Sequence, residues 1–175
     1  MSTNSKDFKD KESGNLGEKI IINRYIEYKR KQFLDLLKSE KTDELKEKID
    51  KMELVISLDV FDENKDMIIE GKRTQVKTYI VVHKDSGFIF TPEHIKKLKE
   101  FDLLYFIAKP DVFPNNYGSK IYLVKDPQKL LTRQSTLDPQ KECIYIDQEA
   151  VVCVGELTDE EISELKKLST SKYTK

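Results

Sequence analysis

Cysteines, histidines and long apolar runs are scarce in this chain of 175 residues, and each scarcity excludes a class of protein. The two cysteines, Cys143 and Cys153, lack the grouped Cys/His spacing of a zinc site, so we expect buried free thiols in a reducing compartment. The two histidines, His83 and His94, lie too far apart in the sequence to predict a metal pair. No segment reaches the roughly twenty apolar residues that span a bilayer, and the polar N-terminus has no signal-peptide core. The sequence therefore predicts a soluble, intracellular protein without a membrane partner.

The chain also lacks an excess of charge of either sign. Its 31 Lys and Arg residues nearly balance its 32 Asp and Glu residues, so the global field gives little attraction toward nucleic acid. Nearly all the positive charge is on lysine, which suits phosphate contacts better than the bidentate reading of guanine. Any contact with DNA or RNA must therefore come from a local basic patch.

The length and the apolar content of 38% are enough for one packed domain and short for two. Residues 1–13 are polar and charged, and we expect them to form a disordered tail. We expect a single domain over residues 14–168, with a core in 14–109 and a part for recognition or dimer contacts in 110–168. Residues 169–175 are expected to form a C-terminal tail.

Hydrophobic periodicity predicts an α/β fold with a mixed sheet flanked by helices. A continuous apolar run at 103–108 is typical of a strand that is covered on both faces or lies parallel to its neighbours. The predicted elements are, in order, a long helix from residue 15, a short helix at 42–51, strands at 53–61, on both sides of residue 71 and at 88–90, a helix from 91, strands at 103–108 and 119–124, a short helix from 126, a hairpin at 144–154 and a C-terminal helix with a capping box at 158–161.

The segment DMIIEGKRTQVKT, which starts at Asp66, predicts a β-hairpin around Gly71. Because side chains alternate along a strand, Gln75 and Lys77 point to one face and Val76 to the other. The turn brings Asp66 back toward them. A carboxylate, an amide oxygen and an ammonium group on one patch can hold a divalent cation and place a positive charge beside a phosphate. This is the minimum set for cutting a phosphodiester.

The order of these features resembles the PD-(D/E)XK nuclease superfamily, which has the restriction-endonuclease-like fold. The resemblance covers roughly residues 15–108: a first helix with Glu18, then an acid, then Gln-Val-Lys-Thr in a strand, then a helix and a strand. It implies that Glu18, Asp66 and Gln75 hold a metal ion, Mg²⁺ with Mn²⁺ as a substitute. It also implies that Lys77 is the catalytic lysine that positions the attacking water.

This chain departs from the family pattern twice. Gln75 replaces an acid, which removes one negative charge and predicts weaker metal binding. No proline precedes the strand acid, so Asp59 and Asp62 remain competitors for Asp66. The short spacing through Gly71 favours Asp66.

The resemblance implies a metal-dependent deoxyribonuclease, more specifically an endonuclease of restriction or homing type. Because cutting both strands of a duplex needs two sites, we expect the protein to act on DNA as a homodimer. Two alternatives remain open, namely a non-catalytic interaction module on the same fold and an RNA-directed nuclease. The lysines Lys96, Lys97 and Lys99 form either a solvated helix face or a set of phosphate contacts.

Overall fold

The structure is a computed structural model, and it describes residues 4–38, 43, 67–82, 87–110 and 117–169. The helices whose bounds lie within these residues are α1 (Asn4–Lys38), α2 (Pro92–Leu98) and α3 (Asp159–Ser169), with a 3-10 turn at Pro127–Lys129. The strands are β1 (Met67–Ile69), β2 (Lys72–Ile80), β3 (Gly87–Phe90), β4 (Leu103–Ala108), β5 (Lys120–Val124), β6 (Thr132–Gln134), β7 (Glu142–Tyr145) and β8 (Val151–Glu156).

The strands form a five-stranded mixed sheet and a three-stranded antiparallel sheet. The larger sheet has the order β1-β2-β4-β5-β8, and the smaller has the order β3-β7-β6. In the larger sheet only β2 and β4 run parallel, and α2 lies in the connection between them, as a parallel pair requires a crossover. The predicted α/β class with a mixed sheet is confirmed.

The hairpin around Gly71 is also confirmed, and it is tight. β1 and β2 are antiparallel, and Ile69 pairs with Lys72, so Glu70 and Gly71 alone form the turn. Their φ angles are 51° and 74°, the positive values that a type I′ turn requires at both central positions. Glycine adopts this backbone without steric cost, while Glu70 does so where the phenol of Tyr25 on α1 donates a hydrogen bond of 2.9 Å to its carboxylate.

The larger sheet is covered on both faces by separate apolar clusters. The cluster on the α1 side joins residues of α1, β1, β2, β4, β5, α3 and the connection before α3. It includes Ile20, Ile21, Ile22, Met67, Ile69, Val76, Ile107, Ile121, Leu157 and Leu165. The cluster on the other side joins the sheet to α2 and to the smaller sheet, and it includes Phe88, Ile95, Leu98, Leu104, Phe106, Tyr122, Val124, Leu130 and Ile144. The buried strand β4 contributes to both, as its apolar run predicts.

Helix α1 begins earlier than the sequence predicts. Residues 1–13 are predicted to be a disordered tail, but α1 starts at Asn4 and runs without a break to Lys38. Residues 4–13 contain neither glycine nor proline, and their straight-chain Lys and Glu residues have good helix propensity. Once the following turns pack on the sheet, the helix extends backward at one hydrogen bond per residue.

The predicted helix starts at Thr91 and Thr158 are confirmed by their caps. Thr91 Oγ1 accepts from the His94 backbone N–H at 3.3 Å, and Pro92 occupies the first helical position. Thr158 and Glu161 form the reciprocal capping box, with each side chain accepting from the other backbone N–H at 3.2 and 2.7 Å.

The predicted hairpin at 144–154 is wrong, because its two strands belong to different sheets. β7 pairs with β3 and β6, whereas β8 pairs with β5. The buried Gln148 side chain explains the separation: its Nε2 donates to the carbonyls of Tyr145 and Leu131, and its Oε1 accepts from the Leu131 N–H. These bonds hold the connection against the smaller sheet and leave β8 to pair elsewhere.

Three further predictions concern the cysteines, a membrane-spanning helix and the elements at 42–61. Cys143 and Cys153 form no disulfide, and Cys143 is buried whereas Cys153 is exposed on β8. Among the described residues, no helix has the length and apolarity to cross a membrane. The predicted helix at 42–51, apart from residue 43, and the predicted strand at 53–61 lie outside the described residues.

Candidate functional site

Strand β2 presents different chemistry on its two faces. Thr74 and Val76 are buried toward α1, and Val76 belongs to the apolar cluster on that side. Gln75 and Lys77 alternate with them and therefore face α2. The predicted alignment of Gln75 with Lys77 on one face is present in the structure.

A cavity of about 240 Å³ separates this face of β2 from α2 and the turn that follows it. Its wall combines three cationic side chains and one carboxylate with a histidine, an amide and two apolar groups. The lining residues are Arg73, Gln75, Lys77, His94, Lys97, Leu98, Glu100 and Phe101. Three cations against one carboxylate give this wall a local excess of positive charge.

Lys77 is half-buried in the wall of the cavity, and burial lowers the pKa of its ammonium group. Among the described residues, no carboxylate forms an ion pair with it. Desolvation penalises a cation unless a partner repays the cost, so a half-buried lysine without one favours the approach of an anion. Perturbed groups of this kind concentrate at functional sites.

Gln75 and Arg73 are each held in place on the same face. The Gln75 amide nitrogen donates to the Val76 carbonyl at 3.2 Å, which leaves the amide oxygen as the end that can bind a ligand. The Arg73 backbone exchanges two hydrogen bonds with Asp102, at 2.8 and 2.9 Å. The Arg73 guanidinium lies over the ring of Phe101, 5.2 Å from its centroid.

Glu18 lies on the other side of the sheet. The turn of α1 that carries it packs so closely on β2 that a Cβ at Gly17 would stand 1.7 Å from Thr78 Oγ1. Glu18 is half-buried at this helix–strand contact, and burial raises the pKa of its carboxyl group. Within the described part of the chain, no hydrogen bond or ion pair joins Glu18 to Gln75 or Lys77. The structure brings Gln75 and Lys77 together, but it does not add Glu18 to them.

The strand acid and its two competitors, Asp66, Asp59 and Asp62, lie outside the described residues. Asp66 is bonded directly to Met67, which pairs with Thr74 across the hairpin. The chain therefore enters the hairpin one residue after this acid and beside the strand that carries Gln75.

The described residues of this face favour an anion over a divalent cation. Within the ranges that the structure describes, no three His, Cys, Asp or Glu side chains are grouped as metal ligands. The oxygen donors at the cavity are the Gln75 amide and the Glu100 carboxylate, against the cations of Arg73, Lys77 and Lys97. Mg²⁺ prefers carboxylate oxygens, and the described lining supplies one carboxylate, that of Glu100.

Sequence reasoning missed Arg73 and Phe101 as parts of this surface. Arg73 was predictable, because it is one more step of the alternation that aligns Gln75 and Lys77. Phe101 follows α2 and reaches the cavity only because β2 and β4 are parallel neighbours, with Thr74 opposite Leu103. That pairing is long-range in sequence and gives no local pattern.

Searches with this chain against family models, curated proteins and solved structures found no match.

Proposed function

We propose that this chain is a metal-dependent endonuclease of restriction-endonuclease-like fold that hydrolyses phosphodiester bonds of DNA. The observation that carries the proposal is the pair Gln75 and Lys77, side by side on β2 above a cationic cavity. A half-buried ammonium group beside a cavity with three cationic side chains is suited to a phosphate, whose charge increases in the transition state of hydrolysis.

The order of the elements supports the proposed fold. A long helix precedes a tight hairpin, the second strand carries the Gln-x-Lys pair, and a helix then leads to a strand parallel to it. This is the order that the resemblance implies for a nuclease core. The proposal treats residues 14–168 as one domain and assigns recognition or dimer contacts to the part after residue 109.

Each proposed role follows from the chemistry of a side chain. Lys77 offsets the charge of the phosphate and orients the water that attacks it. Asp66 and Gln75 are the proposed oxygen ligands, and Glu18, which comes from the opposite face of the sheet, is the member of the set that the geometry supports least. When bound, Mg²⁺ or Mn²⁺ supplies an acidified water and neutralises charge on the phosphate.

A plasmid assay tests the proposal. Supercoiled DNA is incubated with the protein and Mg²⁺ or Mn²⁺, with EDTA as the metal-free control, and nicked and linear products are measured on a gel. We expect metal-dependent cleavage that falls by about 100-fold or more in Lys77→Ala, the usual size of the loss when one charge-stabilising group is removed. Asp66→Ala should lose cleavage as well.

Lys96→Ala is the matched control, because Lys96 is an exposed lysine of α2 that does not line the cavity. It should cleave like the wild type. Wild-type rates in Lys77→Ala would remove Lys77 from the mechanism. Linear products at early times would support two cooperating sites and hence a homodimer, whereas nicks alone would support a monomer. A parallel assay with RNA separates the RNA-directed alternative.

The second candidate is a non-catalytic module that binds nucleic acid on the same fold. It is favoured by the cationic character of the cavity and by Gln75 in the place of an acid. Binding of the plasmid without cleavage under either metal would establish it.

A further inference from the structure

The cations at the cavity come from β2 and α2, and the proposed nuclease chemistry assigns a role to only some of them. Lys77 and Gln75 have roles in it, but Arg73 at the start of β2 and Lys97 on α2 do not. Arg73 and Lys77 are four residues apart on an extended strand, so their Cα atoms are about 13 Å apart. Two cations at this separation suit two phosphates of one backbone better than a single phosphate group.

The cavity is also small. Its volume of about 240 Å³ is below the roughly 300–1,000 Å³ of pockets that enclose drug-sized ligands. It has room for phosphate groups of a backbone, but it does not enclose a base, a sugar and a phosphate together. An extended nucleic acid would therefore leave its bases outside and place only backbone groups in the cavity.

Arg73 is prepared for such a contact. Stacking on Phe101 holds the guanidinium plane, and two backbone hydrogen bonds to Asp102 hold the residue itself. A planar guanidinium group donates in a fork that matches two phosphate oxygens, and less entropy is lost when it is already oriented. Across the cavity, the Lys97 ammonium has no ion-pair partner among the described residues.

We propose that Arg73 and Lys97 form a phosphate pocket that holds a second backbone phosphate of the nucleic acid, next to the phosphate that Lys77 approaches. The inference rests on the proposed function, which supplies the bound nucleic acid. Glu100 lies at the same cavity, and its carboxylate opposes an anion there.

Binding of a short fluorescent DNA duplex, measured by anisotropy in EDTA at several salt concentrations, tests the pocket without any cleavage. Each phosphate contact contributes about 0.9 to the slope of log affinity against log salt. Lys97→Gln should therefore lower the slope by about 0.9 and weaken binding about eightfold at 0.1 M salt. Arg73→Gln should lose at least as much, and Glu100→Gln should bind more tightly because a repelling charge is removed.

Lys96→Gln is the matched control and should keep the wild-type slope, since Lys96 is the exposed neighbour outside the cavity. Equal slopes for Lys97→Gln and Lys96→Gln would overturn the pocket, as would a wild-type protein that binds no duplex. Inorganic phosphate is the second probe. If it binds the wild type but not Lys97→Gln while duplex affinity is equal in both, the pocket takes a free phosphate and its assignment to nucleic acid is wrong.

The outcomes separate the two proposals. Cleavage that depends on Lys77, together with an unchanged slope in Lys97→Gln, would reject the pocket and keep the nuclease. A reduced slope in Lys97→Gln, together with no cleavage under any metal, would keep the pocket and favour the binding module.

Discussion

On one face of β2, Thr74 and Val76 are buried against α1, whereas on the other Gln75 and Lys77 border a cavity lined by charged and apolar side chains. The two sets are neighbours in the sequence and differ by one residue in register. The α1 face has no room even for a methyl group at Gly17, while the α2 face has space for a phosphate and its waters. One face of β2 therefore packs against α1 and the other borders the cavity, because successive side chains point in opposite directions.

A loss of stability is expected on the packed face from Gly17→Ala. Alanine favours a helix by about 1 kcal/mol over glycine, but here its Cβ would meet Thr78 Oγ1 at 1.7 Å. Overpacking of this kind costs roughly 1–3 kcal/mol, so we expect a net loss of unfolding free energy in urea. Thr78→Ala removes the nearest atom, and the double variant should recover part of the loss. Equal losses of stability in Gly17→Ala and in the double variant would show that the contact with Thr78 is not the cause of the loss.

A smaller effect is expected from Tyr25→Phe, which removes the hydrogen bond between α1 and the hairpin turn at Glu70. A net loss of about 1 kcal/mol is usual for one hydrogen bond to a charged group at a partly exposed site. The control is Tyr28→Phe on the same helix, where the exposed hydroxyl accepts only from Gln32, at 2.6 Å. Thermal unfolding of both variants measures the difference, and equal stability would show that the backbone and the ion pair between Lys29 and Glu70 hold the turn without this hydrogen bond.

The smallest effect is expected at Glu18, and it depends on pH. Burial raises the folded-state pKa of its carboxyl group above the usual 4.5, so ionisation costs stability in the folded chain. The wild type should lose stability as the pH rises from 4.5 through the raised pKa, and Glu18→Gln should not. The stability of the variant relative to wild type should therefore grow over that window and then level off.

Urea unfolding at a series of pH values measures this difference, with Glu164→Gln, an exposed glutamate of α3, as the control for losing a surface carboxylate. If the difference in unfolding free energy between Glu18→Gln and wild type does not change with pH, the Glu18 carboxylate is solvated in the folded chain. A shift of the opposite sign on addition of Mg²⁺, with wild type more stabilised than the variant, would support Glu18 as a ligand.

The site could be predicted from sequence only where its geometry is local. The hairpin follows from Gly71, and the shared face of Gln75 and Lys77 follows from alternation, so both were accessible. The helical stripe of α1 places Glu18 beside apolar residues, but periodicity does not tell which face of the sheet a helix covers. For the same reason Phe101, which arrives through the parallel pairing of β2 and β4, was not predictable.

The fold divides in the same way. Caps and turns use residues within a few positions, so the helix starts at Thr91 and Thr158 were predicted correctly. Strand partners are often far apart in the sequence, so local patterns do not identify them. The prediction that β7 and β8 pair with each other is therefore wrong. The Gln148 side chain, whose bonds separate these two strands, has no distinctive sequence pattern.

The most direct test of the division between the two faces is a paired measurement on neighbouring residues, Val76→Ala and Lys77→Ala. Melting temperature and plasmid cleavage with Mg²⁺ are measured on both variants well below the melting temperature. Val76→Ala should lose about 2 kcal/mol of stability, as expected for two buried methyl groups, and should still cleave. Lys77→Ala should keep its melting temperature and lose cleavage. Equal cleavage by the two variants, or a loss of stability in Lys77→Ala as large as in Val76→Ala, would contradict the account.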